Sequence, residues 1–274
     1  MVDAGDVKDA ADDAKNSRPM GWAARVGLAA RGLVYIIMGT LAVLVATGAS
    51  ANVDQRGALT EVLAKPFGTF LVVLLAVGFA CYALWRISEA ALGVTGEPDG
   101  AGPRLKALFR GLAYLVLTWS AVSLLLGARG TQAGEQSTLA ADVMSKPAGR
   151  WAIGLVGLVV VAVGVMLIRE GWSDRFMRYF GYLPAGSRKA VIWLGRVGTV
   201  ARGVVFAITG WLVVLAAVNA DPEKAGGIDA AFHSLLDKPF GPALVFLLGA
   251  GLIVFGVYGL AEAAWRRVTE TEPA

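Results

Sequence analysis

Six stretches of this chain are apolar for about 20 residues each, near positions 26–47, 67–88, 107–127, 149–169, 197–218 and 240–261. That is the length a helix needs to cross a bilayer. Lipid offers a backbone no hydrogen-bond partners, so such a run is restricted to a helix or a strand of a closed barrel. The runs are continuous, as in the twelve residues from Phe67 to Gly78, and lack the alternation of a barrel strand. They read as six transmembrane helices. Composition agrees, with 56% hydrophobic and 17% charged residues, where a soluble domain has about 45–50% and about 25%. A single cysteine, Cys81, excludes an internal disulfide framework, and a single histidine, His233, excludes a His-rich metal centre. A net charge of +4, dispersed along the chain, is too small for a nucleic-acid binder.

Orientation follows from basic residues. Of the 25 Lys and Arg, 18 fall in the N-terminal segment, the second and fourth connections and the C-terminus, and 7 fall on the other side. The excess predicts that both termini are cytoplasmic. Residues 1–23 are interrupted by Asp3, Asp6, Asp9, Asp12 and Asp13, so they lack the basic start and apolar run of a signal peptide. They are expected to be a polar, disordered cytoplasmic tail.

The chain repeats itself three times. Arg25, Arg31, Gly32 and Tyr35 recur as Arg104, Arg110, Gly111 and Tyr114, and again as Arg196, Arg202, Gly203 and Phe206. Each second span opens on Lys-Pro-x-Gly, ending at Gly68, Gly149 and Gly241, and carries one acidic residue at a constant offset: Glu89, Glu170 and Glu262. The units are 24–93, 103–172 and 195–267, with a linker over 173–194. Two spans restore the starting side, so the repeats are parallel, and an all-α integral membrane protein with a pseudo-threefold axis along the membrane normal is expected.

This triple hairpin resembles the bacterial membrane family termed domain of unknown function 1206, in three tandem copies over roughly residues 24–267. The middle copy departs most, with Lys106 in place of Gly27 and Gly198, and Ala148 in place of Phe67 and Phe240. The resemblance implies a polytopic inner-membrane protein without an assigned reaction.

Arg31, Arg110 and Arg202 begin the odd spans and Glu89, Glu170 and Glu262 end the even ones, at similar depth. Pairing across each hairpin would offset the cost of charge in a membrane. The set reads either as three structural staples or as a charge ring that gates a cytoplasmic mouth. Tyr35, Tyr114 and Phe206 follow each Arg by one turn, in reach for cation–π stacking. The short stretches 58–65, 139–146 and 228–238 have the pattern of amphipathic helices on the outer surface. Proline would then stand in the first turn of the following span. The linker interleaves Arg175 and Arg178 with Phe176 and Tyr179, a mixture suited to anionic headgroups on the cytoplasmic side.

Catalytic constellations are missing. No second residue type completes a nucleophile at Cys81, and there is no phosphate-binding loop and no metal-ligand spacing. The expectation is a non-enzymatic protein without cofactor or metal, in the bacterial plasma membrane. It contacts lipid and not nucleic acid, and a protein partner or a second copy remains open. Two functions stay open: a scaffold or partner of envelope machinery, and a small-solute or ion transporter or channel with a path along the axis. The span centres hold little polarity beyond Thr40, Thr118, Ser120, Ser123 and Thr209, which favours the first.

Overall fold

The structure, a computed structural model, describes residues 17–94, 100–128, 130–181, 183–184 and 186–268. Nine α-helices lie among them: α1 (Arg18–Ala46), α2 (Gln55–Leu63), α3 (Gly68–Leu92), α4 (Ala101–Leu125), α5 (Gln132–Met144), α6 (Gly149–Trp172), α7 (Ser187–Asn219), α8 (Gly227–Leu236) and α9 (Gly241–Trp265). Six of these, α1, α3, α4, α6, α7 and α9, are long and apolar enough to cross a membrane. This is an all-helical membrane protein of three tandem repeats. Residues 1–16 of the expected tail lie outside the described residues, and the tail cannot reach residue 23. α1 already begins at Arg18, where Ser17 caps the helix and Pro19 fits its first turn.

The short helices α2, α5 and α8 each turn into a span through the Lys-Pro-x-Gly sequence. Its third residue, Phe67, Ala148 or Phe240, is left-handed, with φ of 61°, 60° and 61°. The glycine that follows sits against carbonyls of the preceding short helix, for example those of Val62 and Leu63 at Gly68, leaving no room for a Cβ. The proline therefore stands in the turn ahead of the span and not in its first turn. Phe67 and Phe240 point out at 84% exposure, and in the middle copy, where Ala148 replaces them, Trp151 does so at 83%. Each corner thus presents one large exposed aromatic side chain.

Glycine decides which spans meet. The most extensive packing joins neighbouring repeats: α3 on α4, α6 on α7, and α9 back on α1. Gly32 and Gly39 of α1 lie against Gly256 and Gly249 of α9, and Gly203 and Gly210 of α7 lie against Gly164 and Gly157 of α6. Small residues let helix backbones approach where no hydrophobic drive exists between them. Within a repeat, α1 packs on α3 and α7 on α9. There Gly27 faces Tyr82 and Gly78 faces Ala30, and equivalently Gly198 faces Phe255 and Gly251 faces Ala201. The middle repeat has Lys106 and Val159 at those two glycine positions. Its spans, α4 and α6, make next to no contact.

The bundle is filled inside. One apolar cluster runs from Val53, Leu59 and Phe232 beside the short helices, through Met38, Phe79 and Phe255, to Phe176 and Tyr179 at the opposite end. Tyr35 meets Phe255 edge-on at 4.8 Å, and Phe79 meets Tyr114 at 5.8 Å.

Candidate functional site

Charge concentrates at the end of the bundle opposite the short helices. The first Arg of each repeat secures the C-terminal end of an even span from another repeat, α9 for the first repeat and the preceding span for the other two. Arg25 donates to the carbonyls of Ala263 and Ala264, Arg104 to that of Ala91, and Arg196 to the carboxylate of Asp174 just past α6. A cation at a helix C-terminus also meets the negative end of its dipole.

The second Arg of each repeat points inward, and here the three copies differ. Arg31 pairs with Glu262 of α9, which also accepts from Arg266 at 2.5 Å. Glu89 is taken by Arg86, one turn earlier in its own helix, at 2.5 Å. Glu170 lies 3.7 Å from Lys106. Among the described residues no carboxylate pairs with Arg110 or Arg202. Three equivalent Arg–Glu staples across the hairpins are therefore not what forms: of the three repeated inward Arg residues, Arg31 is the one that pairs with a Glu, and that Glu262 belongs to a different repeat. The tyrosine hydroxyl of Tyr82 accepts from Arg31 at 3.2 Å and from Arg86 at 3.0 Å.

Aromatic faces take up one of the two remaining cations. The Arg202 guanidinium lies 5.1 Å from the Phe206 ring, one turn on, and 5.4 Å from Tyr35 of the first repeat. Arg31 stacks instead on Tyr82 and Phe255, each at 5.6 Å. Tyr114 packs on Tyr82 and Phe79, and among the described residues no guanidinium stacks on it. Arg110, Arg202, Arg31, Arg266, Glu170 and Glu262 line one small cavity of about 40 Å³. Four cations thus face two carboxylates. The Nε atoms of Arg31, Arg202 and Arg266 are buried without a hydrogen-bond partner.

The linker corrects a second expectation. Phe176 and Tyr179 do not face lipid: both are buried, Phe176 edge-on to Tyr258 at 5.4 Å and Tyr179 beneath Arg266 at 4.3 Å. The backbone of Phe180 bridges to that of Arg266, and Arg267 donates to the Tyr179 carbonyl at 2.9 Å. The linker plugs the charged end, and of its four interleaved basic and aromatic residues Arg175 and Arg178 remain at the surface. Arg86, Arg266 and Tyr82 were not singled out in the sequence. Their spacing carried the signal, since Arg86 precedes Glu89 by three residues and Arg266 follows Glu262 by four.

At the other end the short helices interlock. Val53 N–H donates to Asp229 of α8 at 2.6 Å, Arg56 pairs with Glu135 of α5, and Asp54 caps α2 through the Gly57 N–H at 2.7 Å. Burial pushes the Asp54 carboxyl up to about 6, helped by the neighbouring Asp229 and opposed by the Gly57 N–H and Arg56. His233 rests one turn from Asp229, with Nδ1 3.0 Å from its carbonyl.

Comparison with known proteins supplies the family. A curated relative, Uncharacterized protein YxxB of Bacillus subtilis (strain 168), is 28% identical over 250 residues, covering 89% of this chain and 90% of the relative. No solved structure matches the chain. The model of the family Domain of Unknown Function (DUF1206) matches three times, at residues 26–93, 105–174 and 197–266, coinciding with the three hairpins. The chain belongs to the DUF1206 family.

Proposed function

We propose that this protein is a non-enzymatic scaffold of the bacterial plasma membrane, a partner of envelope machinery rather than a carrier. Its repeats are related by a pseudo-threefold axis along the membrane normal, with α2, α5 and α8 on the outer surface and both termini in the cytoplasm. The observation that carries this reading is the filled axis. Met38, Phe79, Tyr35 and Phe255 are all at most 5% exposed and belong to one cluster that runs the length of the bundle. A solute path needs polar groups or water at the midplane, and that space is occupied by rings and aliphatic side chains. The basic excess at the opposite end supports the orientation.

A second reading, transport of a small solute along the same axis, has one observation in its favour. Arg110 and Arg202 line a cavity without a paired carboxylate. Thiol labelling separates the two. In a Cys81→Ala background, single cysteines at Tyr35, Tyr114 and Phe206 are probed from the cytoplasmic side with an impermeant reagent. A scaffold predicts no labelling in the folded protein and full labelling once denatured. Labelling in all three repeats overturns the reading in favour of a path. Ser173→Cys, labelled only from the cytoplasmic side, checks the orientation.

A further inference from the structure

The open seam of the middle repeat has a distinct chemistry at each end. In repeats one and three, the facing positions are closed by Ala30, Gly78, Tyr82 and Trp85 and their counterparts, and Tyr82 and Trp85 are at most 1% exposed. The same positions in the middle repeat are Phe109, Val159, Val163 and Met166. They stay apart, with Phe109 64% and Met166 67% exposed. An apolar cleft therefore runs down the seam between α4 and α6.

At its charged end the cleft meets a pocket of about 290 Å³, lined by Lys106, Arg169, Arg175, Arg178, Glu170 and, shared with the cleft, Met166. Four cations surround one carboxylate. Arg110 stands one turn beyond Lys106 and adds further positive potential. Arg and Lys together match the oxygens of a phosphate, and basic pockets between spans on the cytoplasmic side suit anionic headgroups.

We propose that this seam holds an anionic phospholipid, its phosphate in the Lys106–Arg169–Arg175–Arg178 pocket and an acyl chain along Phe109, Val159, Val163 and Met166. The site rests on the reading above only in that the charged end faces the inner leaflet. Charge complementarity selects the headgroup: a phosphatidylglycerol brings net negative charge, whereas a phosphatidylcholine brings a quaternary cation against four others. Free inorganic phosphate has the same oxygens but leaves the adjoining cleft empty, so the continuity through Met166 commits the site to a lipid. The lipid does for the middle repeat what Gly27–Tyr82 and Gly198–Phe255 packing does for the other two, joining α4 to α6.

The test uses the full chain in nanodiscs of equal phosphatidylglycerol and phosphatidylcholine, then released into mild detergent, with retained lipid counted by native mass spectrometry. One retained phosphatidylglycerol per chain is expected. The Arg175→Gln/Arg178→Gln variant, altered at two exposed side chains, should retain it about 30-fold more weakly. Met166→Asp, which puts charge in the chain path, should abolish retention with thermal unfolding close to the parent. Added inorganic phosphate should leave the lipid in place. Equal retention of phosphatidylcholine, displacement by inorganic phosphate, or retention unchanged in both variants overturns the proposal. Retention in detergent is indifferent to sidedness and to any axial path. A failed scaffold reading therefore shows in the thiol labelling, and a failed lipid site shows here.

Discussion

In the α1–α9 seam, the carbonyl oxygen of Gly256 lies 2.7 Å from where a Cβ on Gly32 would stand. The contact is backbone on backbone, so neither side can yield by changing a rotamer. Gly203 and Gly164 repeat the arrangement between α7 and α6. Overpacking at such a site costs about 1–3 kcal/mol. Gly32→Ala and Gly203→Ala should each lower the unfolding temperature in detergent accordingly. Gly102→Ala, where nothing lies within 4 Å, is the control, and it should be neutral or slightly stabilising because alanine favours a helix. Equal effects at all three positions would remove glycine contact as the basis of the seams.

The three acidic residues, equivalent in the sequence, should respond unequally. Glu262 is the shared partner of Arg31 and Arg266, and all three are buried. Removing one member of a buried ion pair leaves charge without compensation and costs about 3–5 kcal/mol. Glu170 is partly exposed and 3.7 Å from a half-exposed Lys106, a geometry worth about 1 kcal/mol or less. Glu262→Gln is therefore expected to destabilise strongly and Glu170→Gln barely, in chemical unfolding of the detergent-solubilised protein. A similar loss for both would mean that the repeat symmetry of the sequence outweighs the local pairing.

That inequality marks where the sequence stops being legible. The six spans, the three hairpins and the Lys-Pro-x-Gly corners follow from local chemistry, because length, apolarity and turn residues act within each repeat. Which partner an inward charge takes does not. Arg31 and Glu89 hold the same repeat positions as Arg202 and Glu262, yet Arg31 crosses to another repeat while Arg86 captures Glu89. Competition from a same-helix neighbour and the closure of α9 onto α1 decide the matter, and both depend on tertiary placement. The linker is similar: alternating basic and aromatic residues fit a headgroup layer or a plug equally well. Only the burial of Phe176 and Tyr179 separates the two.

Asp54 makes the short-helix end sensitive to pH. Its carboxyl is raised from 3.8 to about 6, mainly by burial, with Asp229 nearby. A raised acid favours the folded state while protonated. The stabilisation is complete below about pH 4 and is lost as pH rises through about 6. Thermal unfolding should fall across that window. Asn caps a helix as well as Asp, so Asp54→Asn should keep α2 and flatten the profile between those limits. A profile of unchanged slope in the variant would assign the titration elsewhere.

Disulfide trapping tests the open middle repeat directly. A Cβ built on Gly78 reaches the Ala30 Cβ, and one on Gly251 reaches that of Ala201. A disulfide needs Cα atoms about 4.4–6.8 Å apart, which both pairs of packed helices allow with a small shift. The matching pair in the middle repeat is Phe109 and Val159, on spans that scarcely touch. In the Cys81→Ala background, Ala30→Cys/Gly78→Cys and Ala201→Cys/Gly251→Cys should oxidise readily, and Phe109→Cys/Val159→Cys should not. Restoring glycine at Lys106 and Val159 and alanine at Phe109, with cysteines moved to Ala113 and Val156, the facing positions one turn further along, asks whether bulk and charge alone hold the seam open. Crosslinking there, absent before those changes, is the expected result. Oxidation of all three original pairs at one rate would mean that α4 and α6 pack like the other hairpins, and that Lys106 and Val159 open nothing.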